Sequence, residues 1–278
     1  MKAHIRAIES KKCLYLPSKM GENTIPRMDL ATRRQQEIDF WKHAQHEKPG
    51  ELSILNIINK FSESRVFIEK IQQYGALFLQ SKNTLELGGG QGVHSCILKS
   101  LFPQNNYTVS DISPYAIEST PQWESLLKVE LKDRLACPSD MIPVPDETYD
   151  LVFCFQAAHH FVTHRETLQE VHRILQPGGT CLYLHEPSCT RFMHPYAYKR
   201  VNRKRHEVTE DLLIYRDMQA FASEVGFQTD LHFAPTLTGR GPKETLYYAL
   251  LGKIPTLQRT LPCTVDYRFF KNPVNKGS

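Results

Sequence analysis

Apolar and polar positions follow two regular patterns along this chain. From Asn83 onward, short apolar runs alternate with stretches whose apolar residues recur every three or four positions. Thr84–Leu87 reads as a strand. Val93, Ile97, Leu98 and Leu101 then share one helical face, closed by Pro103. Tyr107–Ser110 is a second strand ending at Asp111, after which Ser113 offers an N-cap with Pro114 at the first helical position. A third strand is expected near Arg134–Cys137. Leu151-Val152-Phe153-Cys154-Phe155 is apolar on both faces, as suits a parallel strand covered on each side. Thr163-His164-Arg165-Glu166 reads as a capping box opening a helix through Leu168, Val171 and Leu175. Pro177-Gly178-Gly179 turns into a fifth strand, Thr180–His185. A helical region in pieces spans about 193–225 and stops at Gly226. Phe227–Phe233 and Thr245–Leu251 read as a closing antiparallel hairpin.

The first 80 residues differ. Arg27–Lys48 carries a helical pattern (Gln35, Glu37, Ile38, Phe40, Trp41) that Pro49-Gly50 would stop. Leu55, Ile58 and Phe61 keep helical spacing. A further run, Phe67, Ile68, Ile71 and Tyr74, is expected to end near Gly75. The expected organisation is an N-terminal helical cap or lid over 1–80 and an α/β domain over 81–255. That domain carries a helical insertion at about 189–210, and a C-terminal tail follows over 256–278. The α/β domain is expected to be a mostly parallel seven-stranded sheet, helices on both faces, with an antiparallel last strand.

Composition adds bounds. The chain has 278 residues, 41% of them apolar, enough for a substantial core. No apolar run reaches membrane-spanning length, and no membrane association is expected. The N-terminus lacks the apolar segment of a secretory signal. Seven dispersed cysteines without a C-x-x-C pair read as reduced, mostly buried thiols, so a cytoplasmic location is expected. A net charge of +4 is mild. It is nonetheless uneven: Lys199, Arg200, Arg203, Lys204, Arg205 and His206 fall together. That run reads either as a solvated helix face or as a holder for a phosphate, a carboxylate or a nucleotide-linked group.

Candidate chemistry concentrates where the strands end, because ligands of parallel sheets bind beyond the strand C-termini at a switch in strand order. Those ends are Gly88–Gly92, Asp111, Phe155–His160 and His185-Glu186. After Glu86, the turn Gly88-Gly89-Gly90-Gln91-Gly92 brings bare backbone close to a ligand. Its G-x-G-x-G spacing departs from the dinucleotide fingerprint G-x-G-x-x-G, which needs glycine at Val93. Asp111, at the second strand end, can accept hydrogen bonds from both hydroxyls of a ribose.

The glycine turn resembles the cofactor loop of class I S-adenosylmethionine (SAM) dependent methyltransferases. The stretch Ser139-Asp140-Met141-Ile142-Pro143 through Tyr149-Asp150 and the run Leu175-Gln176-Pro177-Gly178-Gly179 resemble members of the ubiquinone and menaquinone biosynthesis type. The resemblance covers about residues 83–186. It implies a Rossmann-like fold, SAM as cofactor and S-adenosylhomocysteine as product. It implies cofactor contacts from Glu86, Gly88, Gly90, Gln91 and Gly92, from Asp111 and Ile112, and from Phe155 and Gln156. Asp140 would accept from the adenine amine, Met141 would meet the ring, and Asp150 would be structural. Related families often carry a histidine where His160 stands.

SAM is already activated, so the protein must chiefly position a nucleophile in line with the methyl group. A hydroxyl acceptor also needs its proton removed. His160 is the first candidate for base or acceptor-orienting residue, its alternative being a histidine that packs under the cofactor. His159 and Glu186 are the other catalytic candidates. His160 and His164 are spaced like metal ligands, yet hydrogen-bonded histidines are the commoner outcome, and no metal is expected. The loop Gln156-Ala157-Ala158-His159 lacks the (N/D)-P-P-(Y/F) of base-amine methyltransferases, and Cys154 lies inside a strand. The expected reaction is methylation of a small-molecule acceptor, at a hydroxyl of a sugar, lipid, quinone-like or other natural-product substrate. Nucleic acid is not an expected partner, and the oligomeric state is left open. A nucleic-acid or protein methyltransferase using the basic run, or a non-catalytic SAM-binding module, are the alternatives.

Overall fold

The computed structural model describes residues 29–203 and 208–273. Two helices precede the sheet. α1 (Leu30–His43) starts at Asp29, whose side chain accepts from the Thr32 N–H. α2 (Ile54–Gln80) starts at Ser53, which caps the Asn56 N–H. α2 runs as one helix of 27 residues straight through Gly75, where the sequence pattern suggested an end. A glycine inside a helix costs roughly 1 kcal/mol, and burial of Phe78, beyond it on the face that carries Phe67, offsets that cost.

The chain then alternates strand and helix: β1 (Asn83–Leu87), α3 (Val93–Leu101), β2 (Asn106–Asp111), α4 (Pro114–Ile117), α5 (Thr120–Leu127), β3 (Asp133–Ala136) and β4 (Tyr149–Phe155). A single 3-10 turn, Ala158–His160, follows β4 and leads to α6 (His164–Ile174). β5 (Leu175–Cys189) is a long strand that absorbs Pro177-Gly178-Gly179 as an irregularity in its register against β4. α7 (His194–Val201), the two-residue β6 (Leu213–Ile214), α8 (Tyr215–Glu224) and β7 (Phe227–Phe233) come next.

The end of the chain departs from the sequence expectation. Thr245–Leu251, expected as a strand, lies inside α9 (Pro242–Lys253), which has Pro242 in its first turn. The short α10 (Pro255–Gln258) follows. The last strand is β8 (Cys263–Lys271), in the segment expected to be a tail. Its alternation is strong: Cys263, Val265, Tyr267 and Phe269 are all buried. The order across the sheet is β3-β2-β1-β4-β5-β8-β7, with β6 against the end of β5. All neighbours are parallel except β8, which runs antiparallel to both β5 and β7. This is the α/β architecture the sequence pattern called for, with β8 closing the sheet in place of the expected hairpin partner.

Alternation along the strands divides the core into two layers. Leu85, Leu87, Val152 and Cys154 face α6 and α8 through Leu168, Val171 and Met218. Leu151, Phe153 and Phe155 face the other way, onto Phe67 and Phe78 of α2 and Cys96 and Leu98 of α3. α2 is one of the helices that cover the sheet.

Candidate functional site

β1 and β4 are neighbours whose crossovers go opposite ways, so a crevice opens beyond their C-terminal ends. A cavity of about 610 Å³ lies there, lined by the Gly88–Gln91 turn, Asp111, Ile112, Ser139, Phe155–Ala157, His160 and Glu210, and roofed by Arg34, Glu37, Phe40 and Trp41 of α1. Its size falls in the usual range of small-ligand sites, about 300–1,000 Å³.

The glycine turn is held by specific bonds. Gly89 N–H donates to the Ser110 carbonyl, and Gly90 N–H donates to Asp111 Oδ2 at 2.9 Å. Gly88 and Gly90 sit at φ +61° and +54°, in the left-handed region. Gly89 is needed for another reason: a Cβ there would lie 2.6 Å from Val109 Cγ2. Glu86 does not line the cavity. Its buried carboxylate accepts from the Ser95 N–H and hydroxyl in the first turn of α3, so it holds helix to strand. Gly92, also expected at the cofactor, instead begins α3 with φ +78° and lies off the cavity wall. Gln91 is buried, with its side-chain oxygen accepting from Asn56 Nδ2 and Trp123 Nε1.

Asp111 is central. Its Oδ1 accepts from the Ser113 N–H at 2.8 Å, tying the carboxylate to the residue that precedes α4. Burial pushes its pKa up to about 6, against the pull of the Ser113 and Gly90 N–H groups. A carboxylate has about four lone-pair sites, and two are used here. Two acceptor sites remain at the cavity wall, which matches the needs of a ribose diol.

The next sequence-expected pair is placed differently. Asp140 sits off the cavity wall, where both oxygens accept from Arg34 of α1 at 2.6 Å. It also accepts from the Thr163 hydroxyl, so Thr163 does not cap α6 as its sequence suggested. Met141 is 61% exposed and does not line the cavity. The polypeptide beside it turns outward, and Cys137, Pro138 and Ser139 meet the cavity instead. Asp150 accepts from the Lys82 and Asn83 N–H groups, tying β4 to the start of β1.

A dense polar cluster forms the opposite wall. Glu186, fully buried, accepts from the backbone N–H of Ala157, Ala158 and His159 and from His159 Nδ1 at 2.8 Å. Those bonds organise the turn after β4 from behind: neither Glu186 nor His159, both catalytic candidates from the sequence, lines the cavity. Burial disfavours charge on His159, but its hydrogen bond to Glu186 and the nearby Glu210 carboxylate prevail and raise its pKa to about 9. His160 faces the cavity. Glu37 approaches His160 Nδ1 to 3.1 Å, within ion-pair distance but outside hydrogen-bond geometry. His164 is half-buried, and desolvation lowers its pKa to about 4. It does not join the cluster, so the expected His160–His164 spacing is not what the fold assembles. The group that does converge is His159, His160 and Glu210.

Trp41 belongs to the segment expected as a cap or lid; Arg34, Glu37 and Glu210 carry no signal of the site in the sequence, since the α1 pair reads only as helix and Glu210 is distant in sequence from both histidines. Of the basic run, Lys199 and Arg200 close α7, and Lys204–His206 lie outside the described residues. No helix among the described residues is long and apolar enough to cross a membrane.

Residues 85–183 match the protein-family model described as a methyltransferase domain. That matched segment runs from β1 into β5, the part of the sheet whose strand ends border the cavity. The chain is 30% identical over 112 residues to a probable phthiotriol/phenolphthiotriol dimycocerosates methyltransferase of Mycobacterium ulcerans, covering 40% of this chain and 42% of that one. It is 28% identical over 162 residues to a fatty-acid O-methyltransferase of Mycolicibacterium smegmatis, covering 55% of each. The chain thus spans about half the length of these curated relatives. Geranyl diphosphate C-methyltransferase of Streptomyces coelicolor, solved with Mg2+, geranyl diphosphate and S-adenosylhomocysteine, shares the fold at TM-score 0.60 and 12% identity, covering 90% of this chain and all of that one.

Proposed function

We propose that the chain is an SAM-dependent methyltransferase acting on a small-molecule acceptor, at a hydroxyl oxygen. One observation carries the reading: a single cavity has the glycine turn and Asp111 on one wall and His160 with two carboxylates, Glu37 and Glu210, on the other. SAM, when bound, supplies a methyl group on a sulfonium that is already activated for transfer. The Gly88–Gly90 backbone gives it close approach, and the free lone pairs of Asp111 suit its ribose hydroxyls. Ile112 and Ser139 flank the adjoining space. The acceptor then faces His160, Glu37 and Glu210, which orient its oxygen and take up or direct its proton. α1 lies over both halves and excludes water from the reacting groups. The relatives named for lipid and fatty-acid substrates favour an apolar acceptor carrying a hydroxyl or carboxyl group.

Calorimetric titration with SAM and S-adenosylhomocysteine tests the cofactor half, and a labelled-methyl screen over hydroxylated lipids, quinols and sugars tests the acceptor half. Asp111→Ala should weaken SAM binding by at least about tenfold, the loss expected of a hydrogen bond to a charged group. Turnover should fall in His160→Ala with SAM affinity unchanged. If neither cofactor form binds at millimolar concentration, the reading is wrong.

A further inference from the structure

Three side chains of metal-ligating type converge beside the cavity. His159 and His160 come from the turn after β4, and Glu210 from the segment between α7 and β6. One ligand atom from each lies within 4.8 Å of the other two. A single Glu210 oxygen, Oε2, stands 3.4 Å from His159 Nε2 and 3.8 Å from His160 Nε2. Both separations exceed a good hydrogen bond, which spans about 2.7–3.2 Å. They are close to the edge of a coordination tetrahedron: bonds of about 2.0–2.2 Å to a shared ion set two ligand atoms roughly 3.3–3.6 Å apart.

The surroundings of His159 provide an independent indication. Its Nδ1 is bound at 2.8 Å by the fully buried Glu186 carboxylate, and Nε2 is turned toward Glu210. A carboxylate behind one ring nitrogen is how metal-ligating histidines are commonly held, because it fixes the ring and makes the other nitrogen a better donor. Glu186 is itself locked by three backbone N–H groups, so the arrangement is rigid before any ion arrives. On the outer side, His160 and Glu210 line the cavity, so coordination positions not filled by protein open toward it.

The geometry points to a divalent transition-metal site at His159, His160 and Glu210, whose open positions take an oxygen of the methyl acceptor. Two imidazoles and one carboxylate suit Zn2+, Mn2+ or Fe2+; an all-oxygen shell would suit Mg2+ or Ca2+, and thiolates would suit Cu+. The acceptor half of this inference rests on the methyltransferase reading; the metal half does not. The ion lowers the pKa of a bound hydroxyl, as it does for bound water. The coordinated hydroxyl gives its proton to Glu37, a carboxylate on the cavity that lies outside the metal shell. Its oxygen then forms the new C–O bond to the methyl carbon as the carbon–sulfur bond breaks, and that electron pair stays on sulfur, leaving a neutral thioether.

The test uses the tag-free full chain, stripped with chelator, reloaded with Zn2+ or Mn2+ and passed through gel filtration. Elemental analysis should find one equivalent of metal per chain. Cobalt substitution should give the visible absorption of low-symmetry Co2+. His160→Ala and Glu210→Gln, both partly exposed on the cavity wall, should fold normally by circular dichroism. Each should weaken metal affinity by at least about tenfold, the range seen when a metal shell is disturbed. Retention of only traces of metal by the reloaded wild type, or equal affinity in wild type and both variants, would overturn the site. SAM titration on the stripped protein separates the two readings. SAM binding without metal binding sinks this inference alone. Metal binding without SAM binding sinks the methyltransferase reading and the acceptor role, and leaves the metal site standing.

Discussion

Asp111 shows how a single side chain can couple binding to pH. Its carboxyl is buried at the cavity wall, and burial holds its pKa near 6 in place of the ordinary 3.8. A raised acid pKa means the folded chain binds the proton more tightly than the unfolded one. Folding stability therefore falls as pH rises from about 4 to 6, by a total of about 3 kcal/mol. Ligand hydroxyls want the ionised form. SAM affinity should thus rise about tenfold between pH 5 and pH 7 and level off above it, following the ionised fraction. Titrations at several pH values would show this, and Asp111→Asn should remove the slope. A flat profile in the wild type would dissociate Asp111 from the ligand. At this scale the glycine turn and Asp111 were legible in the sequence, because backbone need and strand position dictate the residue type. Glu86 and Met141, expected at the cofactor, lie off the cavity wall. Each sits beside the motif, but which way a side chain points depends on packing: Glu86 turns to Ser95, and Met141 turns outward.

α1 shows what an element contributes when it has little core of its own. None of its residues is fully buried, so its position depends on a few polar and aromatic contacts. Arg34 grips Asp140, Trp41 rests against the Gly90 backbone, and Glu37 approaches His160. Arg34→Ala should loosen the roof without unfolding the sheet. Hydrogen exchange should speed up across Leu30–His43 and stay unchanged in β1 and β4, and SAM should dissociate several-fold faster. Unchanged exchange in α1 would show that Arg34 does not hold it. The helical pattern of this segment was visible in sequence, but its destination was not. A lid and a sheet-edge cover need the same amphipathic face, and only the meeting of Arg34 with Asp140 distinguishes them. The sequence pattern ends near Gly75, short of the end of α2, for a related reason: glycine is a poor helix former locally, yet Phe78 beyond it is wanted by the core.

Across the whole molecule, stability comes from the two layers that alternate residues of β1, β4 and β5 create. Phe67 is the clearest member, fully buried against Phe78, Phe153 and Phe155. Phe67→Ala should cost about 3–5 kcal/mol in a denaturant titration, although it lies in the segment expected to be a separate cap. A loss under 1 kcal/mol would show that α2 is not integral to the core. Strand–helix alternation, the place of the cavity at the strand ends, the glycine turn and Asp111 on its wall were all determined by the sequence alone. They depend on local periodicity and on residue types that a backbone conformation demands. Three things were decided only by the tertiary structure. One is that Cys263–Lys271 enters the sheet between β5 and β7. Another is that α1 roofs the cavity. The last is that Glu210 meets His159 and His160. Each joins residues far apart in the chain, and local sequence periodicity carries no record of such meetings.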